Sequence, residues 1–204
     1  MILIMETVTL GALAVAVVGT GYHIAKRNIN AAQNQQNQNS GGAITDSSIR
    51  DVKPGAIAPI GARSEKWSAP LKYAYTIEAA ENRHGLPARL LERLLYQESR
   101  YREEIISGRV RSPVGAVGIA QFMPATAREW HIDPLNTGQA IDGAARYLAW
   151  LKNQLNGWRE ALAAYNWGIG NVQRRGLIAA PRETSRYVVE IIADVTKATG
   201  REIK

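Results

Sequence analysis

Apolar residues recur at spacings of three and four after Leu71, and this periodicity constrains the fold more than any other feature. Such spacing places side chains on one face of an α-helix, whereas a half-buried strand needs alternation, which no region sustains. The stretch "LLERLLYQESRY" (Leu90–Tyr101) is the clearest case, because its leucines form one stripe. Glu98 ends the stripe where another leucine would continue it. The sequence therefore predicts an all-α domain. At Glu98 either the helix frays and the carboxyl is solvated, or the carboxyl is held against the core.

Glycine and proline residues divide this region into helices, because glycine commonly follows the last turn of a helix and proline fits the first. The predicted boundaries are at Gly85, Pro87, Pro124, Gly157, Pro181 and Gly200. The helix that begins at Pro87 is predicted to continue to Tyr101. A domain of roughly 130 residues is large enough to bury one core.

A membrane anchor is predicted at residues 1–27. Thr7–Ala25 is an apolar run, uncharged apart from His23, and its length suits a single transmembrane helix. A cleaved signal peptide is one alternative, but the charge before the run is Glu6, whereas signal peptides carry basic residues there. A buried helix is the other alternative.

Residues 28–70 are predicted to form a flexible linker. Asn28–Gly42 is an Asn/Gln-rich segment of low complexity, and the residues after it show no sustained period. Such a segment cannot bury enough apolar surface to offset the loss of chain entropy. The Asn/Gln run could instead drive self-association. The folded domain is therefore predicted to occupy residues 71–204.

Composition excludes several kinds of chemistry. The chain has no cysteine, which rules out disulfides and thiolate chemistry. Its three histidines lack a metal-ligand spacing, and "GAVG" lacks the lysine of a phosphate-binding loop, so we expect neither metal nor cofactor. The net charge of +7 favours a polyanionic partner, such as a wall polymer or anionic lipid. Nucleic acid is disfavoured, because the sequence has no nucleic-acid-binding motif.

Four motifs follow one another in the helical region: "ESRY", "SPVGAVGIAQFMPATA", "ALAAYNWGIGNV" and "PRETSRYV", which begin at Glu98, Ser112, Ala161 and Pro181. In type, order and separation they resemble the catalytic domain of the soluble lytic transglycosylase family, a branch of the lysozyme superfamily. The resemblance covers residues 71–198 and implies a helical lysozyme-like fold with a substrate cleft. One departure is Asp142, where the family more often has asparagine.

The resemblance implies cleavage of the β-1,4 bond between N-acetylmuramic acid and N-acetylglucosamine in peptidoglycan. It implies cleavage without water, which leaves a 1,6-anhydro muramyl end, and it makes Glu98 the single catalytic acid/base. The residues support that role independently. A carboxyl at the end of an apolar stripe is partly desolvated, and desolvation raises its pKa so that it can hold a proton near neutral pH.

A second catalytic carboxylate is missing from the sequence. Two-carboxylate glycosidases need a partner across the sugar, but no Asp or Glu occurs between Gly108 and Glu129. Glu103 and Glu104 lie in a charged run and are expected to be solvated. This favours assistance by the substrate's own N-acetyl group. A hydrolytic muramidase or chitinase on the same fold, and a binding module without activity, are the alternatives.

Seven residues are predicted from the same resemblance to bind substrate: Ser112, Gly118, Gln121, Met123, Tyr165, Asn166 and Tyr187. Ser112 and Gln121 resemble cleft residues that hydrogen-bond the sugar. Gly118 resembles a position whose bare backbone lets the glycan approach, and Met123 would line the cleft. The alternatives are hydrogen bonding within the loop for Gln121 and core packing for Met123.

The remaining three of these residues belong to the last two motifs. Tyr165 and Asn166 resemble the pair that positions the catalytic glutamate and the N-acetyl group, and Tyr187 resembles a second cleft tyrosine. Core packing is the alternative for both tyrosines. A helix cap without a catalytic role is the alternative for Asn166.

The predicted location combines a single-pass membrane anchor with a catalytic domain that faces peptidoglycan. Lys26 and Arg27 directly follow the apolar run and favour a cytoplasmic domain by the positive-inside rule. A wall enzyme must instead face the periplasm. Two contexts would reconcile these demands, a membrane-containing phage particle with an entry enzyme, or a secretion apparatus that opens the wall locally. The sequence leaves both open.

Overall fold

The structure, a computed structural model, describes residues 63–155 and 157–203. Within these ranges the chain is helical, and its only β-type pairing is an isolated bridge between Val117 and Phe122. This confirms the predicted all-α class for the described part. The helices are α1 (Leu71–His84), α2 (Leu90–Ser99), α3 (Glu103–Ile106), α4 (Pro124–Glu129), α5 (Thr137–Leu155), α6 (Trp158–Trp167), α7 (Ile169–Arg175) and α8 (Arg182–Thr199), with a 3₁₀ turn at Leu177–Ala179.

The predicted transmembrane helix Thr7–Ala25 and most of the predicted linker lie outside the described residues. Among the helices that the structure describes, none combines the length and the apolar character needed to cross a bilayer.

Most predicted helix ends agree with the structure. α1 stops at Gly85 and α8 at Gly200, and α4 begins at Pro124. The exception is α2, which is shorter than predicted at both ends. It begins at Leu90 because Arg89 has a φ of 68°, and it ends at Ser99 because the residue that follows has a φ of 53°.

Five of the helices pack against one another in a closed ring. α1 contacts α2 and α5, α6 contacts α5 and α8, and α8 contacts α2. α2 contributes a continuous part of the core, since each of its four leucines is 0% exposed. These are Leu90, Leu91, Leu94 and Leu95. The predicted leucine stripe therefore faces the middle of the domain.

Charged residues off the leucine stripe of α2 are also buried, because each has a partner. Glu92 is 1% exposed and accepts hydrogen bonds from Arg63 Nη1 at 3.1 Å and Arg89 Nε at 2.9 Å. Arg93 is 3% exposed and donates through Nε to Asp194 Oδ2 of α8 at 2.7 Å. The part of α2 from Leu90 to Leu95 is thus buried on all sides, which the one-sided apolar pattern did not predict.

The start of α2 is capped by a carboxylate from α1. Glu81 accepts hydrogen bonds from the backbone N–H groups of Arg89 at 2.9 Å, Leu91 at 2.9 Å and Glu92 at 3.2 Å. Burial raises the pKa of Glu81 to about 7, although these N–H groups act in the opposite direction. Because the first N–H groups of a helix have no partner within it, Glu81 meets a requirement that α2's own sequence leaves open.

The segment before α1, which falls within the predicted linker 28–70, packs onto the domain. Trp67 is 3% exposed, and the guanidinium carbon of Arg89 lies over its ring, 4.3 Å from the ring centre. Arg63 forms ion pairs with Glu78 at 3.2 Å and Glu92 at 3.1 Å. The linker was predicted from composition and the absence of a period. These contacts involve only one tryptophan and one arginine, which change neither property. The packed part of the chain therefore includes residues 63–70.

Asp142, which departs from the family pattern, joins α5 to α1. Its Oδ1 accepts hydrogen bonds from Arg83 Nη1 at 2.6 Å and His84 Nε2 at 2.9 Å. Burial alone would raise the pKa of Asp142, but these two partners lower it overall. The contact lies between helices of the scaffold and supports a structural role for this aspartate.

Candidate active site

Glu98 is the penultimate residue of α2 and is only partly exposed. Its Oε1 accepts a hydrogen bond from the hydroxyl of Tyr187 at 2.6 Å. Burial raises the pKa of Glu98 to about 7, and the hydrogen bond from Tyr187 opposes that rise. A carboxyl with this pKa is protonated about half the time at neutral pH, so it can both give and take a proton.

Tyr187 lies on α8 and is 5% exposed. Burial, and then the negative charge of Glu98, raise the pKa of this phenol well above its ordinary value, so it stays a neutral donor. Its ring is packed in the core, but its hydroxyl contacts the candidate catalytic carboxyl. The sequence singled out Tyr187 as a cleft residue and did not predict this direct contact.

The chain turns sharply after Glu98, and buried hydrogen bonds hold the turn. Ser99 is fully buried and accepts a hydrogen bond from the N–H of Tyr101 at 3.2 Å. The Tyr101 hydroxyl donates to the carbonyl of Glu92 at 2.6 Å. Arg100 and Tyr101 both have a φ of 53°, which is uncommon outside glycine. These contacts fix the residue at which α2 ends, and with it the position of Glu98.

Tyr165 of α6 approaches Glu98 without a direct hydrogen bond. Its hydroxyl donates to the carbonyl of Ala120 at 2.9 Å, and its ring lies against Phe122 and Tyr147. Burial, and then the charge of Glu98, raise the pKa of Tyr165 well above its ordinary value. The hydroxyl is therefore near enough to Glu98 to interact electrostatically, while its hydrogen bond ties α6 to the loop before α4.

Asn166 is exposed, and its side chain is held by Thr184 rather than by Glu98. Its Oδ1 accepts a hydrogen bond from Thr184 Oγ1 at 2.8 Å. Thr184 is 2% exposed on α8, and sequence reasoning missed it. The available signal was its position three residues before Tyr187, on the same helix face.

Two of the predicted substrate-binding residues hydrogen-bond within the loop 112–123 itself. Ser112 Oγ accepts from the N–H of Ala116 at 2.8 Å. Gln121 Nε2 donates to the carbonyl of Gly118 at 2.9 Å, and Gln121 has a φ of 48°. This is the loop-bonding alternative considered for Gln121. Contact with a sugar stays a prediction for both residues.

Gly118 and Met123 differ in environment. Gly118 is buried with a φ of 80°, and a Cβ there would stand 1.9 Å from the carbonyl oxygen of Pro134. The glycine is therefore required by backbone packing, whatever its role toward glycan. Met123 precedes α4 and is 41% exposed, so core packing does not describe it.

The acidic residues that follow α2 form surface ion pairs, as expected for a solvated run. Glu103 pairs with Lys72 and accepts a hydrogen bond from the Tyr73 hydroxyl at 3.0 Å, while Glu104 pairs with Arg102. In the described part of the chain no group of three His, Cys, Asp or Glu side chains is arranged to hold a metal ion.

Comparison with known proteins identifies the family. The model of the transglycosylase SLT domain matches residues 75–188, which is more than half of the chain. The chain therefore belongs to the transglycosylase SLT domain family, and the resemblance drawn from its four motifs is confirmed.

Curated relatives agree with this assignment. A membrane-bound lytic murein transglycosylase F of Pseudomonas fluorescens is 35% identical over 109 residues, which are 50% of this chain and 21% of that protein. A membrane-bound lytic murein transglycosylase F 1 of Alkalilimnicola ehrlichii is 33% identical over 120 residues, 54% of this chain and 23% of that protein. This chain thus spans less than a quarter of the length of either relative.

A solved structure supports the fold. An inactive mutant of the lytic transglycosylase Slt from Pseudomonas aeruginosa, with glutamate replaced by glutamine, has a TM-score of 0.51 and 27% identity. The match covers 63% of this chain and 24% of that one. The helical domain is therefore of the lysozyme-like type that the sequence predicted.

Proposed function

We propose that this chain is a peptidoglycan lytic transglycosylase that cleaves the bond between N-acetylmuramic acid and N-acetylglucosamine and leaves a 1,6-anhydro muramyl end. Glu98 is its single acid/base. The observation that carries the proposal is the partly buried Glu98, with a pKa raised to about 7 and one oxygen held by Tyr187. Membership of the family and the names of its relatives support the same activity.

The hydrogen bond from Tyr187 determines which oxygen of Glu98 acts on substrate. Since the Tyr187 hydroxyl donates to Oε1, the proton of the neutral carboxyl belongs on Oε2. Among the described residues Oε2 has no hydrogen-bond partner, so it is free to meet a sugar. In the first step Oε2 gives its proton to the glycosidic oxygen, the bond to the anomeric carbon breaks, and the substrate's N-acetyl oxygen bonds to that carbon.

In the second step Glu98 acts as a base. As a carboxylate it takes the proton of the muramyl 6-hydroxyl, whose oxygen attacks the anomeric carbon and displaces the N-acetyl oxygen. The anhydro ring closes, Glu98 regains its proton, and no water is consumed. The step needs no second protein carboxylate, which agrees with the surface ion pairs of Glu103 and Glu104.

The other site residues are proposed to hold the sugar. Tyr165 and Asn166 lie on α6 and would contact the N-acetyl group. Ser112, Gly118, Gln121 and Met123 belong to the loop 112–123, which the hydrogen bond between Tyr165 and Ala120 holds against α6. The loop is thus attached to an element that also approaches Glu98, which supports one continuous substrate site.

The product of digestion tests the proposal. The wild-type chain should release anhydro muramyl ends from purified peptidoglycan, as detected by mass analysis. Glu98→Gln should lower turnover at least about 1000-fold, because an amide can neither give nor take the proton at neutral pH. It should leave glycan binding and the folded state intact, because the amide oxygen can still accept the Tyr187 hydrogen bond.

Two results would reject this function. Free reducing muramyl ends would identify a hydrolytic muramidase. Binding to glycan without any cleavage by the wild type would identify a module that lacks activity. Substantial lysis by Glu98→Gln would remove Glu98 from the role of acid/base.

We propose further that residues 1–27 anchor the chain in a membrane and that a linker from residue 28 to about residue 62 carries the catalytic domain to the wall. The apolar run Thr7–Ala25 and the words "membrane-bound" in the names of the relatives support the anchor. Protease protection of the full chain in sealed vesicles would report the side on which the domain lies. Detection of the intact chain in a phage particle or in a secretion apparatus would decide between those contexts.

A further inference from the structure

A cavity of about 560 Å³ lies between the end of α2 and the first turns of α8. Tyr187, the hydrogen-bond partner of Glu98, is part of its wall. Three arginines, Arg100, Arg182 and Arg186, also line it. Its volume is within the range of ligand-binding sites, and its wall includes a residue that contacts the proposed catalytic carboxyl. We call it the arginine pocket.

The arginine pocket carries an excess of positive charge. Among the described residues, none of its three arginines has a carboxylate within 4.0 Å. Two glutamates, Glu183 and Glu190, also line it, and Glu190 lies 4.0 Å from Arg93, whose closer partner is Asp194 at 2.7 Å. Two carboxylates therefore face three arginines, and the lining keeps one net positive charge.

Two local features strengthen this field. The guanidinium of Arg100 lies over the ring of Tyr96, 4.7 Å from its centre, which holds the charge beside the pocket. The first turn of α8 also belongs to the wall, and Pro181, the residue before this helix, provides no side-chain cap. The N-terminus of an 18-residue helix presents unpaired N–H groups and a partial positive charge. Guanidinium and N–H groups together favour carboxylate ligands.

We propose that the arginine pocket binds the carboxylates of the peptide stem on the muramyl residue whose bond is cleaved. The inference rests on the proposed function. In peptidoglycan the stem begins at the lactyl group on C3 of muramic acid, two ring carbons from the anomeric carbon that Glu98 serves. Tyr187 contacts Glu98 and also lines the arginine pocket, so the two sites adjoin. A muramyl ring bound at Glu98 would therefore place its stem at the pocket. The enzyme therefore distinguishes glycan that carries stems from glycan that has lost them.

The test compares two forms of one substrate. Purified peptidoglycan is used with its stems and after their removal by an amidase, and kcat/KM for release of anhydro muramyl ends is measured on each with the full chain. The wild type should prefer the stem-bearing form. In the double variant Arg182→Gln/Arg186→Gln, the ratio of the two kcat/KM values should fall about fivefold, because exposed charge pairs contribute modestly.

Arg159→Gln is the matched control, since Arg159 is an exposed arginine on α6 outside the pocket. It should leave the ratio unchanged. A second measurement uses Glu98→Gln, which is expected to bind without turnover. A soluble stem tripeptide should bind to it, and the two arginine substitutions should weaken that binding, with less difference at high salt.

Two results would overturn the assignment of the arginine pocket as a stem site. One is a ratio of kcat/KM values that does not change in the double variant. The other is an equal loss of kcat/KM on both substrates by a variant that unfolds at the normal temperature. Failure of the proposed function has a different result, since no form of the substrate would yield anhydro ends. Tighter binding of inorganic phosphate than of the stem tripeptide would also overturn the assignment to carboxylates.

Discussion

At the residue scale, the pH dependence expected of this site follows from the burial of Glu98 and from its contact with Tyr187. In the proposed mechanism Glu98 must be protonated to act as an acid, and burial raises its pKa to about 7. The acidic form therefore predominates below pH 7 and is lost as the pH rises through that value. The Tyr187 hydrogen bond favours the carboxylate and holds the pKa lower than burial alone would set it.

Tyr187→Phe is expected to move the high-pH limb of the kcat profile toward higher pH. Removing the donor removes the only hydrogen bond that stabilises the charged form of Glu98 in the described part of the chain. The rate at the optimum should fall about tenfold, because the carboxyl loses its fixed orientation. The measurement is the pH dependence of anhydro-product release at saturating substrate.

Tyr165→Phe is the control for this prediction. Its hydroxyl donates to the carbonyl of Ala120 and not to Glu98, so its removal should leave the limb in place. A limb that does not move in Tyr187→Phe, or that moves equally in both variants, would contradict the role given to Tyr187.

At the scale of elements, the loop 112–123 depends on one closely packed glycine. Gly115 and Gly118 have similar backbone angles, φ 85° and 80°, but different surroundings. A Cβ at Gly115 would meet nothing within 4 Å, whereas one at Gly118 would strike the carbonyl of Pro134. A substitution at Gly115 therefore costs only the unfavourable φ, whereas one at Gly118 costs the unfavourable φ and a steric clash. Comparing the two separates these contributions to the free energy of unfolding.

We expect Gly118→Ala to lower the free energy of unfolding by about 2–4 kcal/mol, because it combines an unfavourable φ with a backbone clash. Gly115→Ala should cost about 1 kcal/mol, from the φ alone. Urea unfolding of the two variants measures the difference. Equal costs would show that the loop moves away from Pro134 freely, and that packing is not the reason for glycine at position 118.

The sequence was sufficient to predict elements whose cause is local. The stripe of leucines predicted α2, and Pro124 and Gly200 predicted where α4 begins and α8 ends. It was insufficient where the cause lies far along the chain. The start of α2 depends on Glu81, and the orientation of Glu98 depends on Tyr187, 89 residues away. Periodicity carries no information about such pairs, and family resemblance predicted a cleft position for Tyr187 but no partner.

At the scale of the whole molecule, the segment 63–70 contributes to the stability of the helical domain. Trp67 covers Arg89, and Arg63 pairs with Glu92 of α2. The segment therefore contacts the helix that carries Glu98. The residues that precede α1 are part of the scaffold of the site and do more than join it to the rest of the chain.

Trp67→Ala is expected to lower the free energy of unfolding by about 3–5 kcal/mol, as for other large-to-small changes of buried aromatic residues. Trp67→Phe should recover most of the loss, since a smaller ring still fills part of the space under Arg89. Thermal unfolding of the full chain and its two variants provides the comparison. A Trp67→Ala variant as stable as the wild type would mean that the segment contributes nothing.

The cap that Glu81 provides has a consequence for protein engineering. α2 has ten residues, and isolated helices of that length are marginal in water. Its first N–H groups are satisfied by a carboxylate from α1 and not by a side chain at its own start. Transplanting the Glu98 helix into a new scaffold would therefore require that α1 be transferred with it, so that Glu81 can still satisfy these N–H groups.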